Sequence, residues 1–502
     1  MGLWAPSPLV YVTAHRPTRL SSELEEVGAV LAHGARAMIS ARARALRRPP
    51  AGAASPSSPA REECMPRYIG LDLHKRILEV CVLNEAGAIE SRHRLVVSRE
   101  ALRAFAQSQL RPDDRLAVEA TTNTWPVVEV LRPFVSEIVV SNPLRTKAIA
   151  EAKVKTDKVD AHTLAQLLRV DYLPAVWQPD AATARLRQLT NQRAGLVADC
   201  TAIKNRIHAI FHQRLISVPE GGLFKVAGRK WLERVELEAD DRAALARDLH
   251  LLAELETAVA DLEERLLVVG GTDPRLKLLV TMPGVNVVCA QTLLAALGEL
   301  GRFRDGDHAA SYLGLVPRTK QSAARTYHGP ITKAGNGHAR WVLVQAAQHL
   351  ATHPGPLGVF FRRLAHKKNR NVAVVATARK LVVIAYELLR RGEPYRYAQP
   401  APTAEKLRRL RLRTGGPRRT TGCPKGTQAK AKLPGGSRTH KALQTLYAEE
   451  GLPVFAPPRP GERRLQQQPA IAAFVASLAE PQTRPRRHRA VSAPARQELA
   501  GA

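Results

Sequence analysis

The 502-residue chain lacks the features that would place it in a membrane or in an oxidising compartment. Its five cysteines are scattered, with no CxxC pair and no histidine at zinc-finger spacing, which argues against a disulfide framework and against structural zinc. No apolar run approaches the roughly 18 residues that span a bilayer. The first 64 residues contain no apolar core followed by a cleavage site, so no secretory signal is expected. Together these absences predict a cytoplasmic protein.

Acidic residues are also in short supply. Lys and Arg number 76 against 45 Asp and Glu, a formal net charge of +31, which predicts a polyanionic partner such as nucleic acid. Residues 398–502 hold 20 basic and 6 acidic groups, with frequent Pro and Gly and fading apolar periodicity, so we predict a disordered basic tail. Residues 1–64 are biased to Ala, Arg, Pro and Ser and are predicted to be a disordered or over-extended start.

The first strong structural signal is a short strand that contains a carboxylate. In residues 68–73 the apolar Ile69, Leu71 and Leu73 alternate with Gly70 and Asp72, the period of two expected of a strand with one apolar face. An acid in such a strand is unfavourable and costly to desolvate, so its charge requires compensation. Further acids that together hold a cation would explain it.

Three further acids are candidates for the same site. Glu119 lies near the end of a second apolar run, and Asp157 and Asp160 stand three residues apart on one face of a predicted helix. Four carboxylates from two strands and a helix form a set of hard oxygen ligands, which suits Mg²⁺ or Mn²⁺. The structural alternatives are a capping box for the two helical acids and a solvent-facing strand end for Glu119.

The order of the predicted elements defines an α/β fold with a mixed sheet. Three strands over residues 68–97 are followed by alternating helices and strands to about residue 168. Asp72 would lie on the first strand, Glu119 on the fourth, and the pair of aspartates on a late helix.

That order, with acids at those places, resembles the ribonuclease H-like fold of RuvC-type resolvases. The stretches Gly-Leu-Asp-Leu-His-Lys (70–75), Val-Glu-Ala-Thr (118–121) and Lys-Thr-Asp-Lys-Val-Asp-Ala (155–161) resemble the signature of the DEDD insertion-sequence transposases of the IS110 type, a family that includes the Piv-type DNA invertases. The resemblance covers about residues 67–392. It implies a RuvC-like catalytic domain over residues 65–178, with Asp72, Glu119, Asp157 and Asp160 as catalytic metal ligands.

Residues 180–268 differ in character from the α/β region. Apolar residues recur there at threes and fours in two long stretches, which predicts two amphipathic helices in an antiparallel hairpin or a coiled-coil-like seam. A spacer within one chain and a dimerisation arm both fit the residues. Similar arms in the family favour dimerisation, so a homodimer or homotetramer is expected.

Residues 272–392 are predicted to form a mainly α C-terminal domain. Two apolar helices flank a Pro283-Gly284-Val285 turn, and a glycine turn before a helix exposes backbone amides to phosphate, as in helix-hairpin-helix DNA contacts. Gly284 is therefore a candidate nucleic-acid contact, and a packing corner is the alternative. The cationic stretches that follow add further candidates because Arg forks match phosphate oxygens: Arg318, Lys320, Arg325, Lys333, His338 and Arg340.

Ser322 lies among these cations. From the residues alone it is either a phosphate ligand or a nucleophile, since no His or carboxylate is close in sequence to activate it. The resemblance implies the second role, because the family's nucleophilic serine follows a Gly-Leu-x-Pro-Arg stretch and Ser322 is the matching position. Thr319 and Thr326 are the nearest other hydroxyls.

The predicted function is that of a DNA transposase or site-specific recombinase. The resemblance implies a phosphoserine link to DNA formed with metal assistance, a structured guide RNA, and a place at the bacterial nucleoid. Two alternatives remain open. A hydrolytic nuclease of the Holliday-junction type needs the four acids but not Ser322, and a non-catalytic nucleic-acid-binding protein needs only the basic surface.

Overall fold

The computed structural model describes residues 65–149, 156–322, 325–416, 438–480 and 482–484. These residues belong to two compact units, the first ending at Val176 and the second beginning at Trp177. The predictions made for residues 1–64 lie outside the described residues.

The first unit is built on a mixed five-stranded sheet in the order β3-β2-β1-β4-β5. The neighbours β1–β2 and β2–β3 are antiparallel, whereas β1–β4 and β4–β5 are parallel, which confirms the predicted α/β class with a mixed sheet. The strands are β1 (Tyr68–Leu73), β2 (Ile77–Leu83), β3 (Ile89–Val96), β4 (Arg115–Glu119) and β5 (Glu137–Ser141).

Helices cover both faces of this sheet. One face packs on α1 (Arg99–Gln109) and α2 (Thr124–Leu131), which a 3₁₀ turn (Arg132–Phe134) extends. The other face packs on α4 (Asp157–Arg169), through Ala161, Leu164, Ala165 and Leu168; α3 (Pro143–Ile149) precedes it. The expectation of one apolar face on β1 is therefore incomplete. Its second face is buried too, because α4 lies directly on it.

The second unit begins with the predicted helical hairpin, and both long helices are confirmed. Helix α5 (Ala181–Gln213) and α7 (Ala239–Gly270) run antiparallel with α6 (Val226–Arg234) between them in sequence. Three ion pairs link the two helices: Arg193–Glu263, Lys204–Glu256 and Arg206–Asp248. The partner's number falls along α7 as the arginine or lysine number rises along α5, as expected for antiparallel helices.

The remainder of the second unit is a helical core that carries one exposed β-hairpin. The helices are α8 (Pro274–Val280), α9 (Val287–Leu297), α10 (Gly306–Tyr312), α11 (Gly337–Gln348), α12 (Pro356–Lys367) and α13 (Arg370–Arg391), with 3₁₀ turns at Leu300–Arg302 and His349–Thr352. The hairpin is formed by β6 (Pro317–Ser322) and β7 (Arg325–Ile331). The sequence predicts no strands here, because the side chains of these residues offer no apolar alternation.

The prediction of a disordered tail over residues 398–502 is wrong for the described part of that segment. It contains α14 (Pro400–Arg413), α15 (Leu443–Glu449), α16 (Pro460–Gln466), α17 (Pro469–Ala479) and a short pair, β8 (Arg438–His440) with β9 (Gln482–Arg484). A few widely spaced apolar residues anchor these helices in the core of the second unit: Leu407, Leu410, Leu443, Tyr447, Phe474 and Leu478. None of the helices in the described ranges combines the length and hydropathy that crossing a bilayer requires.

Candidate metal centre and nucleic-acid interface

Two predicted acids lie at the same edge of the sheet. Strands β1 and β4 are parallel, and their last paired residues are Leu71 and Val118. Asp72 and Glu119 follow these residues directly. Because the carboxyl ends of adjacent parallel strands meet at one edge, the two acids emerge there from neighbouring strands.

A close contact brings the third element to this edge. A Cβ built on Gly70 would lie 1.9 Å from the carbonyl oxygen of Ala161 and 2.7 Å from the amide nitrogen of Ala165, both on α4. Only glycine permits the backbone of α4 to approach β1 this closely. The N-terminal turn of α4, which carries Asp157 and Asp160, is thereby placed next to the strand that carries Asp72.

The structure gathers three ligand atoms into one group. The Nε2 atom of His74 lies 3.1 Å from Oδ2 of Asp72 and 3.3 Å from Oδ1 of Asp157, and all three ligand atoms fall within 4.8 Å of one another. Glu119 and Asp160 are not members of this group. Asp72 is buried, while the side chains of His74 and Asp157 are about half exposed. The cluster is therefore open to solvent at His74 and Asp157.

The electrostatics of this group favour a bound cation. Burial raises the pKa of Asp72 above its usual range, His74 opposes the rise, and the carboxylates of Asp160 and Asp157 add to it. A divalent ion would relieve this concentration of negative charge. The donor set of two carboxylates and one imidazole suits a divalent metal ion.

The capping alternative for Asp157 is not what the structure contains. The N-cap of α4 is Thr156, whose side chain accepts a hydrogen bond from the amide of Val159 at 3.4 Å. Asp157 is the first residue inside the helix, and its carboxylate lies beside His74 instead. The capping hydroxyl leaves this acid available for a second task.

His74 is the site residue that the sequence analysis missed. It follows β1 and belongs to the same alternate set as Gly70 and Asp72, so the period of two already indicated that it shares their side of the strand. An imidazole does not belong to a set of hard oxygen ligands, so the carboxylate pattern alone does not predict it.

Ser322 lies at the end of β6, where it pairs with Arg325 across the hairpin. Every residue of β6 is exposed, so the serine and its neighbours Arg318 and Lys320 face solvent. Thr319 is hydrogen-bonded to another side chain, with its Oγ1 3.1 Å from Nδ1 of His328 on β7. The hairpin thus presents a serine hydroxyl among cations on a thin, accessible element.

The other predicted cations differ in how their side chains are used. Arg340 donates to the carbonyl oxygens of Leu313 at 3.1 Å and Ala334 at 2.6 Å, so its guanidinium holds the loop before α11. His338 stacks on Trp341 with 6.0 Å between ring centroids. Lys333 has a backbone φ of +56°, in the left-handed region, at the bend after β7. The contacts at Arg340 favour a structural role.

The Pro283-Gly284 turn combines a packing corner with an exposed backbone. Gly284 has φ +77°, and a Cβ on it would lie 2.4 Å from the carbonyl oxygen of Ala346, so a glycine is required there. Lys406, from α14, donates to the carbonyl oxygens of Met282 at 2.6 Å and Val285 at 3.0 Å. Burial lowers the pKa of Lys406 to about 7, and a neutral amine still has two N–H donors for these two acceptors.

An acidic edge on an α/β unit, together with a basic and largely helical unit, is typical of enzymes that act on nucleic acid. Residues 69–215 match the family described as "Transposase", and residues 276–358 match "Transposase IS116/IS110/IS902 family". Over these two stretches the chain is similar to insertion-sequence transposases.

Several curated proteins are similar over most of their own length. A putative transposase (y4pF/y4sB) of Sinorhizobium fredii is 26% identical over 341 residues, covering 66% of this chain and 86% of the relative. A probable family 20 transposase of Pseudomonas aeruginosa is 26% identical over 341 residues, covering 65% and 98%. The pilin gene-inverting protein of Moraxella bovis is 25% identical over 355 residues, covering 65% and 97%.

Proposed function

We propose that this protein cleaves and rejoins DNA strands during transposition or inversion, with a divalent ion at the edge formed by β1, β4 and α4 and with Ser322 as the nucleophile. The observation that carries the proposal is that the ligand atoms of Asp72, His74 and Asp157 lie within 4.8 Å of one another. We assign the mixed five-stranded sheet that carries this edge to the ribonuclease H-like fold class. Relatives named as a transposase and as a gene-inverting protein support strand exchange over simple hydrolysis.

The residues at this edge divide into metal ligands and supporting carboxylates. Asp72, His74 and Asp157 would hold the ion, with Asp160 and Glu119 beside them as further carboxylates. A bound divalent ion would supply charge stabilisation at the scissile phosphate and at the leaving oxygen. The strand and helix contact through Gly70 keeps Asp72 and Asp157 at their mutual distance before any ion arrives.

The strand-cleavage step uses the hydroxyl of Ser322. Its Oγ attacks the phosphorus atom, the bond from phosphorus to the departing sugar oxygen breaks, and that oxygen takes up a proton as the serine hydroxyl loses one. The phosphoserine diester conserves the energy of the broken bond, so a second sugar hydroxyl can reverse the step and join a new strand. Arg325, paired with Ser322 across the hairpin, and Lys320 would contact the flanking phosphates.

The decisive experiment looks for the covalent intermediate. The full chain is incubated with DNA from the ends of its element, the flanking transcript and Mg²⁺, and a denaturation-resistant protein–DNA adduct is measured. The adduct should form with the wild-type protein and disappear in Ser322→Ala. Thr319→Ala and Thr326→Ala are matched controls, because each removes a hydroxyl from the same hairpin, and both should retain the adduct.

Each other outcome has a definite meaning. Cleavage without any adduct would make water the nucleophile and the protein a hydrolytic nuclease. Binding without cleavage, unchanged in Asp72→Asn, would leave only a nucleic-acid-binding protein. Loss of the adduct in Thr319→Ala or Thr326→Ala instead of Ser322→Ala would move the nucleophile to that hydroxyl.

The proposal extends to the partners and the location. The basic surface accommodates a structured guide RNA as well as DNA, and ribonuclease treatment of the purified complex should then abolish strand exchange. The hairpin of α5 and α7 would serve as the dimerisation arm, so the protein should sediment as a homodimer or homotetramer. Such an enzyme would act in the cytoplasm, at the nucleoid.

A further inference from the structure

The register of the hairpin separates its side chains into two faces. Residues directly opposite each other on antiparallel strands point to the same side, and successive pairs alternate. Ser322 pairs with Arg325, and two residues further along Lys320 pairs with Tyr327. These four side chains form one face, which we call the serine face. The opposite face carries two pairs of its own, Gln321 with Thr326 and Thr319 with His328.

Tyr327 is the unusual member of the serine face. The residue is 69% exposed, although tyrosine in a folded protein normally buries most of its ring. Gly329, two residues further along β7, has no side chain to cover the ring; a Cβ built there would lie 3.8 Å from Cε1 of Tyr327. The aromatic surface is therefore open on the same side of the hairpin as the serine hydroxyl.

A structural explanation for this tyrosine accounts for less. Tyr favours strands, and its ring offers a surface for the aliphatic stem of Lys320 across the hairpin. An aromatic residue that packs against a cross-strand neighbour would serve equally well on the opposite face, where His328 is the one aromatic residue among the four. Packing therefore does not explain why the exposed ring lies beside the serine and two cations.

We propose that Tyr327 stacks on an unpaired base next to the phosphate that Ser322 attacks, so that the serine face binds single-stranded or locally melted nucleic acid. This inference rests on the proposed function of Ser322. Proteins that bind single strands combine cations along the backbone with exposed aromatic rings under the bases, and the serine face holds both. Two residues along a strand span about 6.8 Å, roughly twice the 3.4 Å rise per nucleotide of one DNA strand. Tyr327 therefore lies within one or two nucleotides of the attacked phosphate.

The test locates the base directly. A single-stranded oligodeoxynucleotide of mixed sequence, carrying 5-iododeoxyuridine at successive positions, is bound to the full chain without Mg²⁺ and irradiated. Trypsin cuts after Arg325 and Lys333, so a cross-link to Tyr327 is recovered in the peptide of residues 326–333. We expect that peptide to carry the cross-link with the single strand and to lose most of it when the same sequence is presented as a duplex.

Variants separate stacking from folding. Tyr327→Ala should lower both the cross-link and the rate of adduct formation, by roughly five- to a hundredfold, because stacking contributes that much to the binding of one base. Tyr327→Trp should preserve or increase both. His328→Ala, which removes the adjacent ring from the opposite face, should change neither. Equal losses in Tyr327→Trp and in Tyr327→Ala would refute stacking, as would cross-links that fall only outside residues 326–333.

The two proposals fail in different ways. An adduct at Ser322 with unchanged kinetics in Tyr327→Ala would overturn the stacking inference and leave the proposed function intact. A cross-link at Tyr327 without any serine adduct would retain the single-strand surface and overturn the nucleophile. The cross-link should persist in Asp72→Asn, because stacking requires no strand cleavage.

Discussion

The acidic edge and the serine hairpin are built by different physical means. Asp72 lies in a sheet covered on both faces, and its distance to Asp157 is set by a helix that contacts Gly70 through backbone atoms. Ser322 lies on a two-stranded element whose first strand is exposed throughout and whose second strand is exposed at most positions. The first site is rigid because packing determines it. The second keeps its local shape through the hydrogen bonds of one ladder.

The largest effect is expected from a methyl group added at the packed site. Gly70→Ala places a Cβ 1.9 Å from the carbonyl oxygen of Ala161, so α4 must move. We expect a loss of about 3 kcal/mol or more in the free energy of unfolding, at the upper end of overpacking effects, and loss of cleavage as Asp157 moves. Denaturant titration measures it. Gly195→Ala, inside α5 with open space around it, is the matched control and should gain about 0.5–1 kcal/mol; an equal loss there would mean that the contact at Gly70 is not the cause.

Asp72→Asn should separate activity from stability. Mutations of residues that merely support a metal ligand cost about 10–100-fold, so loss of a ligand should lower Mg²⁺-dependent cleavage by more than about a hundredfold. The free energy of unfolding should not fall, because burial and the neighbouring carboxylates disfavour the charge at Asp72. Cleavage and thermal unfolding are measured side by side. Asp113→Asn, at an exposed turn of the same unit, is the control; retained cleavage in Asp72→Asn would exclude the edge as the catalytic site.

The lowered pKa of Lys406 predicts that the stability of the second unit depends on pH. Its pKa in the folded protein is about 7 and its usual value is 10.5, so between these pH values the unfolded chain binds a proton that the folded chain does not. Stability therefore rises with pH across this window, by up to about 1.4 kcal/mol per unit, and the gain is lost as pH falls to 7. Unfolding of wild type and Lys406→Met at pH 7 and 9 measures it. The wild type should gain stability relative to Lys406→Met as the pH rises, whereas Lys367→Met, at an exposed position, should follow the wild type.

The smallest effect on stability should come from the exposed hairpin. Ser322→Ala removes a solvent-facing hydroxyl, so the free energy of unfolding should change by less than about 0.5 kcal/mol. Urea unfolding of this variant, next to its loss of the adduct, would establish that the serine acts chemically. A large destabilisation would contradict the contrast between the two sites.

The packed elements were easier to predict from the sequence than the exposed hairpin. The strands of the first unit were confirmed because Ile69, Leu71 and Leu73 repeat a clear period of two, and the helical hairpin because its leucines repeat at threes and fours. The hairpin of β6 and β7 was missed because exposure on both faces removes any apolar pattern. The C-terminal helices were missed because the arginines around Leu407 and Leu410 conceal a narrow apolar stripe, which becomes recognisable only with the core it completes.

The candidate site was predictable in part for a related reason. Asp72 could be selected because a carboxylate is unexpected in an apolar strand. Asp157 could be selected because Asp160 follows it three residues later, on the same face of a helix. That Glu119 stays outside the ligand group, and that His74 enters it, depends on how α4 crosses the end of β1. Such a crossing is determined by the contact at Gly70, and no local pattern encodes it.

The docking of the C-terminal helices has a consequence for how the enzyme is synthesised. Tyr447, Phe474 and Leu478 belong to the same apolar core as Leu276 and Leu293, some 200 residues earlier in the chain. At about 5–20 residues per second a ribosome makes these segments roughly 10–40 s apart, in N-to-C order, and a domain folds as a unit. The second unit therefore cannot complete its core until translation has passed residue 478, so an interrupted message yields the acidic edge of the first unit and an unfinished core in the second.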